Sequence, residues 1–140
     1  QGGRAMAEGP INGAGLQDRV HFTGPVFDDR KHALYKNAQV YCLPSRHEGF
    51  SMAITEALAW ETPVVATETC FFPEISSEAC GLEVPLNSHA LAQALGRILD
   101  DESEGQNMGQ RGGRLVKEKY LWSKIAQSTI DLYQACGVHP

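Results

Sequence analysis

The segment from Val40 to Glu56 constrains the fold most, because it has the pattern of a strand that passes through a turn into a helix. The apolar run Val40–Leu43 has no polar face, which is typical of a strand covered on both sides in a parallel sheet. Pro44 ends that strand, since proline lacks a backbone N–H and disfavours the helical region for the residue before it. Ligands of open parallel sheets bind beyond the carboxyl ends of the strands. The sequence therefore predicts a ligand site in the turn after Pro44.

This turn and the helix after it carry an anion site and two carboxylates. The free N–H groups near Gly49, Phe50 and Ser51, where the helix begins, would hold a diphosphate, and Gly49 is small enough for a phosphate or sugar to approach closely. Glu48 precedes the helix and Glu56 lies inside it, about two turns further along at ~1.5 Å per residue. Carboxylates so far apart cannot share one proton. Their spacing favours contacts with two hydroxyl-bearing parts of one elongated ligand.

Short apolar strands alternate with helical patterns along the chain. Strands are predicted at 20–23, 38–43, 63–67 and 82–84. Helices are predicted at 28–38, at 50–60, from a cap at Asn87 or Ser88, and over two further segments, the last beginning at a cap at Ser123 and stopping at Gly137. Because right-handed crossovers leave few topologies for this order, the fold class is predicted as α/β, a doubly wound Rossmann-like parallel sheet.

Three helices have apolar positions at core spacing, and these are expected to pack inside the domain. In the helix at 50–60 this spacing turns Glu56 away from the sheet, which frees its carboxylate for a ligand. The apolar positions are Phe50, Ala53, Ile54, Ala57 and Leu58 in that helix, Leu91, Leu95, Ile98 and Leu99 in the next, and Ile125, Ile130, Leu132 and Tyr133 in the last.

Composition limits the partners and the compartment. The 140 residues suffice for one domain with one core, and the net charge of −5 is spread without a Lys/Arg stripe, which argues against nucleic acid. The four cysteines have no metal-ligand spacing and no Asp-x-Asp triplet occurs, so neither a metal nor a cofactor is expected. No stretch is apolar for long enough to span a bilayer, and reduced thiols in a cytoplasmic protein are the expectation. The first residues are neither a signal peptide nor a natural initiator, which indicates a trimmed chain.

Glu48 to Glu56 matches a Glu-x7-Glu motif, and with it the chain resembles the retaining GT-B glycosyltransferases of the family 4 type, also called glycosyl transferases group 1. A lone motif of this kind is a weak signal, but six blocks follow in the family's order across residues 16 to 133. The other five blocks are Arg19–Gly24, Leu34–Ala38, Pro63–Thr67, Pro73–Ile75 and Gly81–Pro85. The resemblance implies the C-terminal, donor-binding half of a GT-B enzyme that lacks its first strands. Residues 1–18 would be a linker or the remnant of a preceding helix, and residues 19–140 a partial nucleotide-sugar-binding Rossmann-like domain.

The resemblance also implies roles for single residues. Glu48 would lie near the transferred sugar as the catalytic carboxylate, and Glu56 would bind the ribose. Gly24 and Val26 would lie against the nucleobase. Glu74 would either contact the sugar or cap the short helix after it. The backbone of Gly49, Phe50 and Ser51 would bind the diphosphate.

The activity implied is metal-independent transfer of a hexose, with retention, from a nucleotide diphosphate sugar to an unknown acceptor. The acceptor site and any peripheral membrane contact would belong to the missing N-terminal domain, so the fragment alone is expected to be inactive. Two alternatives stay open: a non-catalytic nucleotide-sugar-binding module and a nucleotide-sugar epimerase of the same fold. The chain departs from the family at Phe71-Phe72, which would narrow the pocket or expose aromatic rings to an acceptor, and at Trp60 before Pro63.

Overall fold

The computed structural model describes the backbone of residues 2–137 and the side chains of residues 5–137. The chain forms two compact units, whose boundary in the sequence falls between Lys31 and His32. The first unit contains helix α1 (Gly2–Gly13) followed by an irregular segment, and helix α2 (Asp28–Asn37) runs across the boundary. Among the described residues no helix is both long and apolar enough to cross a membrane.

The strand predicted at 20–23 is wrong. Val20–Thr23 has no regular structure and is not part of the sheet of the described residues. A strand needs a hydrogen-bonded neighbouring strand, which β1, β2 and β3 do not provide for this segment. Before it, helix α1 includes Pro10.

The second unit is built on a small parallel sheet with the strand order β1-β2-β3. The strands are β1 (Tyr41–Leu43), β2 (Val64–Thr67) and β3 (Gly81–Val84). The helices are α3 (Met52–Ala59), α4 (Glu74–Ser77), α5 (Ser88–Asp100), α6 (Glu102–Leu115) and α7 (Trp122–Ala135), with a π-helical segment at Val116–Tyr120. Cys42 lies opposite Val65 in one strand pair, and Val65 lies opposite Leu82 in the other. The predicted alternation of strands and helices is therefore present from α2 onward.

The central strand β2 is completely buried, and a hydrophobic cluster covers each of its faces. On one face α3 contributes Ile54, Ala57 and Leu58. On the other face α5 contributes Ala94 and Ile98. By contrast β1 is only half-buried, because it forms an edge of this sheet. Both of its faces are nevertheless covered as predicted, since Tyr41 and Leu43 pack against the first cluster and Cys42 packs against the second.

Helix α3 ends in a tight turn against which α6 packs closely. Glu61 has the left-handed φ of 58°, and the turn is closed by the N–H groups of Glu61 and Thr62, which donate to the carbonyls of Leu58 and Ala57 over 3.0 Å each. This is the Schellman arrangement, with a glutamate in the position where glycine is usual. A Cβ at Gly109 of α6 would overlap the Glu61 carbonyl group, so only glycine permits this distance between α6 and the turn.

The helix caps and apolar faces differ in part from the prediction. Asn87 caps α5 by accepting a hydrogen bond of 2.8 Å from the N–H of Ala90, as one of the two predicted caps. The last helix begins at Trp122 rather than after a cap at Ser123, and no side chain caps it. The apolar side chains expected to pack on the last helix are exposed, as are Phe50 and Leu99.

Candidate functional site

The turns that follow β1 and β2 are joined by hydrogen bonds at the carboxyl edge of the sheet. The hydroxyls of Thr67 and Thr69 both donate to the carbonyl of Ser45, each over 2.6 Å. The N–H of Glu48 donates to the carbonyl of Thr69 over 3.2 Å. The backbone of Glu48 is thus held in place by the turn after the neighbouring strand.

The start of α3 is fixed by Ser51, whose side chain is buried. The Ser51 hydroxyl accepts a hydrogen bond of 3.3 Å from the N–H of Ile54, and the Thr55 hydroxyl donates to the Ser51 carbonyl over 3.2 Å. Gly49 lies in open space, since a Cβ there would meet no atom within 4 Å. The positive end of the helix dipole therefore faces an accessible turn, an arrangement that can bind an anion.

The two carboxylates of the motif, Glu48 and Glu56, are both half-buried and both lie near Tyr41. Burial of the Tyr41 ring raises its pKa first of all, and the negative charges of Glu48 and Glu56 contribute to the same shift. Both carboxylates therefore act electrostatically on the same tyrosine.

The hydroxyl of Tyr35 on α2 lies near the Glu56 carboxylate. Burial first of all, then the neighbouring Tyr41 and the Glu56 carboxylate, raise the pKa of Tyr35 to about 12. The rings of Tyr35 and Tyr41 meet edge to face with centroids 5.5 Å apart, and the hydroxyl of Thr62 donates to the Tyr35 carbonyl over 2.7 Å. The half-buried Glu56 carboxylate thus lies beside a tyrosine pair that is fixed by its own contacts.

Glu74 lies at the first position of α4, near the hydroxyl of Tyr120. Burial first of all, and then the neighbouring Glu74 carboxylate, raise the pKa of Tyr120 to about 12. The Tyr120 ring packs on Phe50 and Phe72 with centroid distances of 5.6 and 5.7 Å. Since Phe50 precedes α3, Tyr120 links Glu74 to the turn that carries Glu48.

The two adjacent phenylalanines have different surroundings. Phe72 is buried in the core, whereas Phe71 has a left-handed φ of 51° and is 63% exposed. The Phe71 ring lies edge to face with His47, with centroids 5.8 Å apart. Of the two adjacent phenylalanines, Phe71 is thus exposed beside the turn, while the buried Phe72 packs against Phe50 in that turn.

Gly24 and Val26 belong to the first compact unit. Gly24 has a left-handed φ of 65°, which glycine adopts without strain, and Val26 is half-buried. Their place beside a nucleobase stays a prediction.

Sequence reasoning missed the hydroxyl groups that organise this site. Thr67 is the last residue of β2 and Thr69 lies two residues beyond it, so their position at the end of a predicted strand was a usable signal. Tyr35 and Tyr120 were not recognisable, because each is distant in sequence from the carboxylate that it contacts. Among the side chains of residues 5–137, no three His, Cys, Asp or Glu residues are grouped so that they could hold a metal ion. A cavity of about 300 Å³ beside Pro63 and Glu102 lies at the opposite edge of the sheet, where β2 begins.

Comparison with known proteins gives consistent matches over most of the chain. A family model described as glycosyl transferases group 1 matches residues 1–115. The MMP α-(1→4)-mannosyltransferase of Mycolicibacterium hassiacum is 35% identical over 123 residues, which are 86% of this chain and 30% of that protein. Sucrose-phosphate synthase from Thermosynechococcus elongatus superposes with a TM-score of 0.83 at 32% identity, over 95% of this chain and 34% of that chain.

A second solved structure is the C-terminal domain of a glycosyl transferase group 1 family protein from Francisella tularensis. It superposes with a TM-score of 0.76 at 28% identity, over 85% of this chain and 63% of that chain. The chain spans about a third of the length of the mannosyltransferase and of the synthase.

Proposed function

We propose that the chain is the donor-binding part of a retaining glycosyltransferase that moves a hexose from a nucleotide diphosphate sugar to an acceptor. The premise is its family, since the chain belongs to the glycosyl transferases group 1 family. Its architecture is a fragment of a GT-B glycosyltransferase domain, so the predicted fold class is confirmed. The observation that carries the proposal is the turn before α3, where the backbone of Glu48 is held by the Thr69 carbonyl beside the start of the helix.

In this proposal the diphosphate binds at the N-terminus of α3. Gly49 leaves room for it, and the backbone N–H groups of Gly49, Phe50 and Ser51 point their positive dipoles at its charge. The Ser51 hydroxyl accepts the hydrogen bond from the N–H of Ile54. Its role is to keep the first turn of the helix in place.

Glu56 binds the ribose of the donor. A carboxylate has two acceptor oxygens with about four lone-pair sites, so it accepts from both hydroxyls of a vicinal diol and from a protein donor at the same time. The neighbouring Tyr35 hydroxyl is therefore compatible with ribose binding.

Glu48 acts on the transferred sugar. A carboxylate near the anomeric carbon opposes the positive charge of an oxocarbenium-like transition state and accepts hydrogen bonds from sugar hydroxyls. Its backbone is fixed by the Thr69 carbonyl, so the charge is positioned before the donor arrives. Glu74, linked to the same turn through Tyr120 and Phe50, is proposed as a further contact to the sugar.

The remaining roles follow the resemblance. Gly24 and Val26 are proposed to lie against the nucleobase. The acceptor site and any peripheral membrane contact are assigned to an N-terminal domain, and the transfer is proposed to take place in the cytoplasm. Helix N–H groups and protein cations take the role that a divalent ion has in other transferases, so no metal is required.

The test uses the natural protein that contains these residues. Isothermal titration against UDP, GDP, ADP and their hexose conjugates should identify one nucleotide that binds, and the matching sugar donor should be consumed when acceptors are supplied. Residues 1–140 alone should bind more weakly and show no turnover above background. Robust transfer by residues 1–140 alone would place the catalytic apparatus elsewhere, and binding of the sugar nucleotide with no turnover in the natural protein would favour the non-catalytic module.

A further inference from the structure

Thr69 holds the turn that carries Glu48 at two positions. Its hydroxyl donates to the carbonyl of Ser45 over 2.6 Å, and its own carbonyl accepts from the N–H of Glu48 over 3.2 Å. The bond between the two backbones is open to any residue type at position 69, because every residue has a carbonyl group. The bond to Ser45 depends on the threonine side chain, so a substitution can remove it alone.

Thr67 provides a second attachment of the same turn. Its fully buried hydroxyl also donates to the Ser45 carbonyl over 2.6 Å, and the two threonine oxygens lie 3.1 Å apart. A carbonyl oxygen has two lone pairs, so it accepts from both hydroxyls and keeps a partner when one of them is removed. Loss of the Thr69 hydroxyl should therefore leave the turn attached to the sheet, with more freedom in its orientation.

The start of α3 is held by other groups. The Ser51 hydroxyl accepts from the N–H of Ile54, and the Ser51 carbonyl accepts from the hydroxyl of Thr55. Neither bond involves Thr69, so the N–H groups proposed to bind the diphosphate are supported independently of its hydroxyl. A change at this hydroxyl should act on Glu48 and spare the diphosphate site.

We propose that Thr69 is a positioning residue, whose hydroxyl sets the Glu48 carboxylate relative to the transferred sugar. This inference rests on the proposed function, because it presupposes that Glu48 acts on the sugar. The rate of a positioned reaction is sensitive to small displacements, and a shift of about 1 Å can cost ~10²-fold. The turn after β2 thus has a part in turnover through a residue outside the Glu-x7-Glu segment.

The experiment measures two quantities on threonine variants of the natural protein. Calorimetry with UDP, GDP and ADP gives the nucleotide affinity, and consumption of the hexose conjugate of the nucleotide that binds gives kcat. Thr69→Val removes the hydroxyl and keeps the shape, and we expect it to lower kcat roughly tenfold with unchanged nucleotide affinity, since the bond to the Glu48 N–H remains. Thr69→Ser keeps the hydroxyl and should retain kcat.

Thr129→Val is the matched control. It removes an exposed hydroxyl that donates over 2.8 Å to the Ile125 carbonyl within α7, and it should leave kcat and nucleotide affinity unchanged. Glu48→Gln and its double variant with Thr69→Val complete the design. If the hydroxyl acts through Glu48, Thr69→Val should lower kcat much less in the Glu48→Gln background than in the unaltered protein.

The outcomes separate the inference from the proposed function. Fully additive losses of kcat in the double variant would overturn the inference. Equal losses of kcat in Thr69→Ser and Thr69→Val, or a loss of nucleotide affinity as large as the loss of kcat, would show an effect on packing and overturn it as well. Unchanged kcat in Thr69→Val, with low kcat in Glu48→Gln, would overturn the inference and leave the proposed function standing. Unchanged kcat in Glu48→Gln would overturn both the inference and the role proposed for Glu48.

Discussion

Replacing Gly109 with alanine tests the close packing of α6 on the end of α3. The added methyl group would overlap the carbonyl group of Glu61, which lies in a turn closed by two hydrogen bonds, so backbone atoms must move to admit it. Overpacking costs about 1–3 kcal/mol, and a backbone obstacle puts the cost near ~3 kcal/mol. Alanine recovers about 1 kcal/mol of helix propensity, which leaves a net loss of about 2 kcal/mol.

Gly96 provides the matched control. It lies inside α5, where a Cβ would meet no atom within 4 Å, so Gly96→Ala should gain the full ~1 kcal/mol of helix propensity. The two substitutions should therefore differ by about 3 kcal/mol. Gly112→Ala should fall between them, because its Cβ would meet the flexible end of the Leu58 side chain at 2.5 Å rather than backbone.

Native-state hydrogen exchange of the α3 amides in the natural protein measures the change in local stability that each substitution causes, whatever other domains are present. Each 1.4 kcal/mol changes the opening equilibrium, and with it the exchange rate, about tenfold. A difference of about 3 kcal/mol between Gly109→Ala and Gly96→Ala therefore corresponds to roughly a hundredfold difference in exchange rate. If Gly109→Ala exchanges as slowly as Gly96→Ala, the contact between α6 and Glu61 is not as close as described and the reasoning fails.

Three further predictions concern the site. Glu56→Gln should mainly weaken binding of the free nucleotide, by about 1–3 kcal/mol. Glu48→Gln should leave this binding nearly unchanged and lower kcat by ~10²-fold, since Glu48 is proposed to contact only the sugar. Equal losses of nucleotide affinity in calorimetry would contradict this division. Transfer by the natural protein should persist in excess EDTA, and complete loss restored by Mn²⁺ would disprove metal independence. The free energy of unfolding should fall as the pH rises from about 10, the ordinary pKa of tyrosine, to about 12, because Tyr35 and Tyr120 keep their protons in the folded state after the unfolded chain has lost them. The unfolding midpoint of the Tyr35→Phe/Tyr120→Phe variant should depend less on pH over this interval. An unaltered dependence of the midpoint on pH would rule out these two side chains as the cause.

Local patterns predicted the elements that are determined locally. Pro44 ends β1, Asn87 caps α5 and the Glu48–Glu56 spacing follows from a turn and a helix of ordinary geometry. The strand at Val20–Thr23 failed for a different reason, because strand formation depends on a neighbour that apolar residues alone cannot reveal.

The sequence alone also could not predict how deeply each strand is buried. An edge strand and a central strand share the same apolar pattern, so Cys42 in β1 was expected to be buried like Val65 in β2 and is only half-buried. In the site, the motif residues were recognisable from their spacing. The contacts that Tyr35 and Tyr120 make with Glu56 and Glu74 depend on packing between separate helices, which no spacing along the chain encodes.

The convergence of two threonine hydroxyls on the Ser45 carbonyl has a consequence for engineering. The turn that carries Glu48 is held by Thr67, which ends a different strand, and by Thr69 just beyond that strand. A chimera that receives only residues 44–56 from this chain would acquire the carboxylates without the hydroxyls that hold the turn. Exchange of donor preference between homologous enzymes should therefore transfer both turns as one cassette.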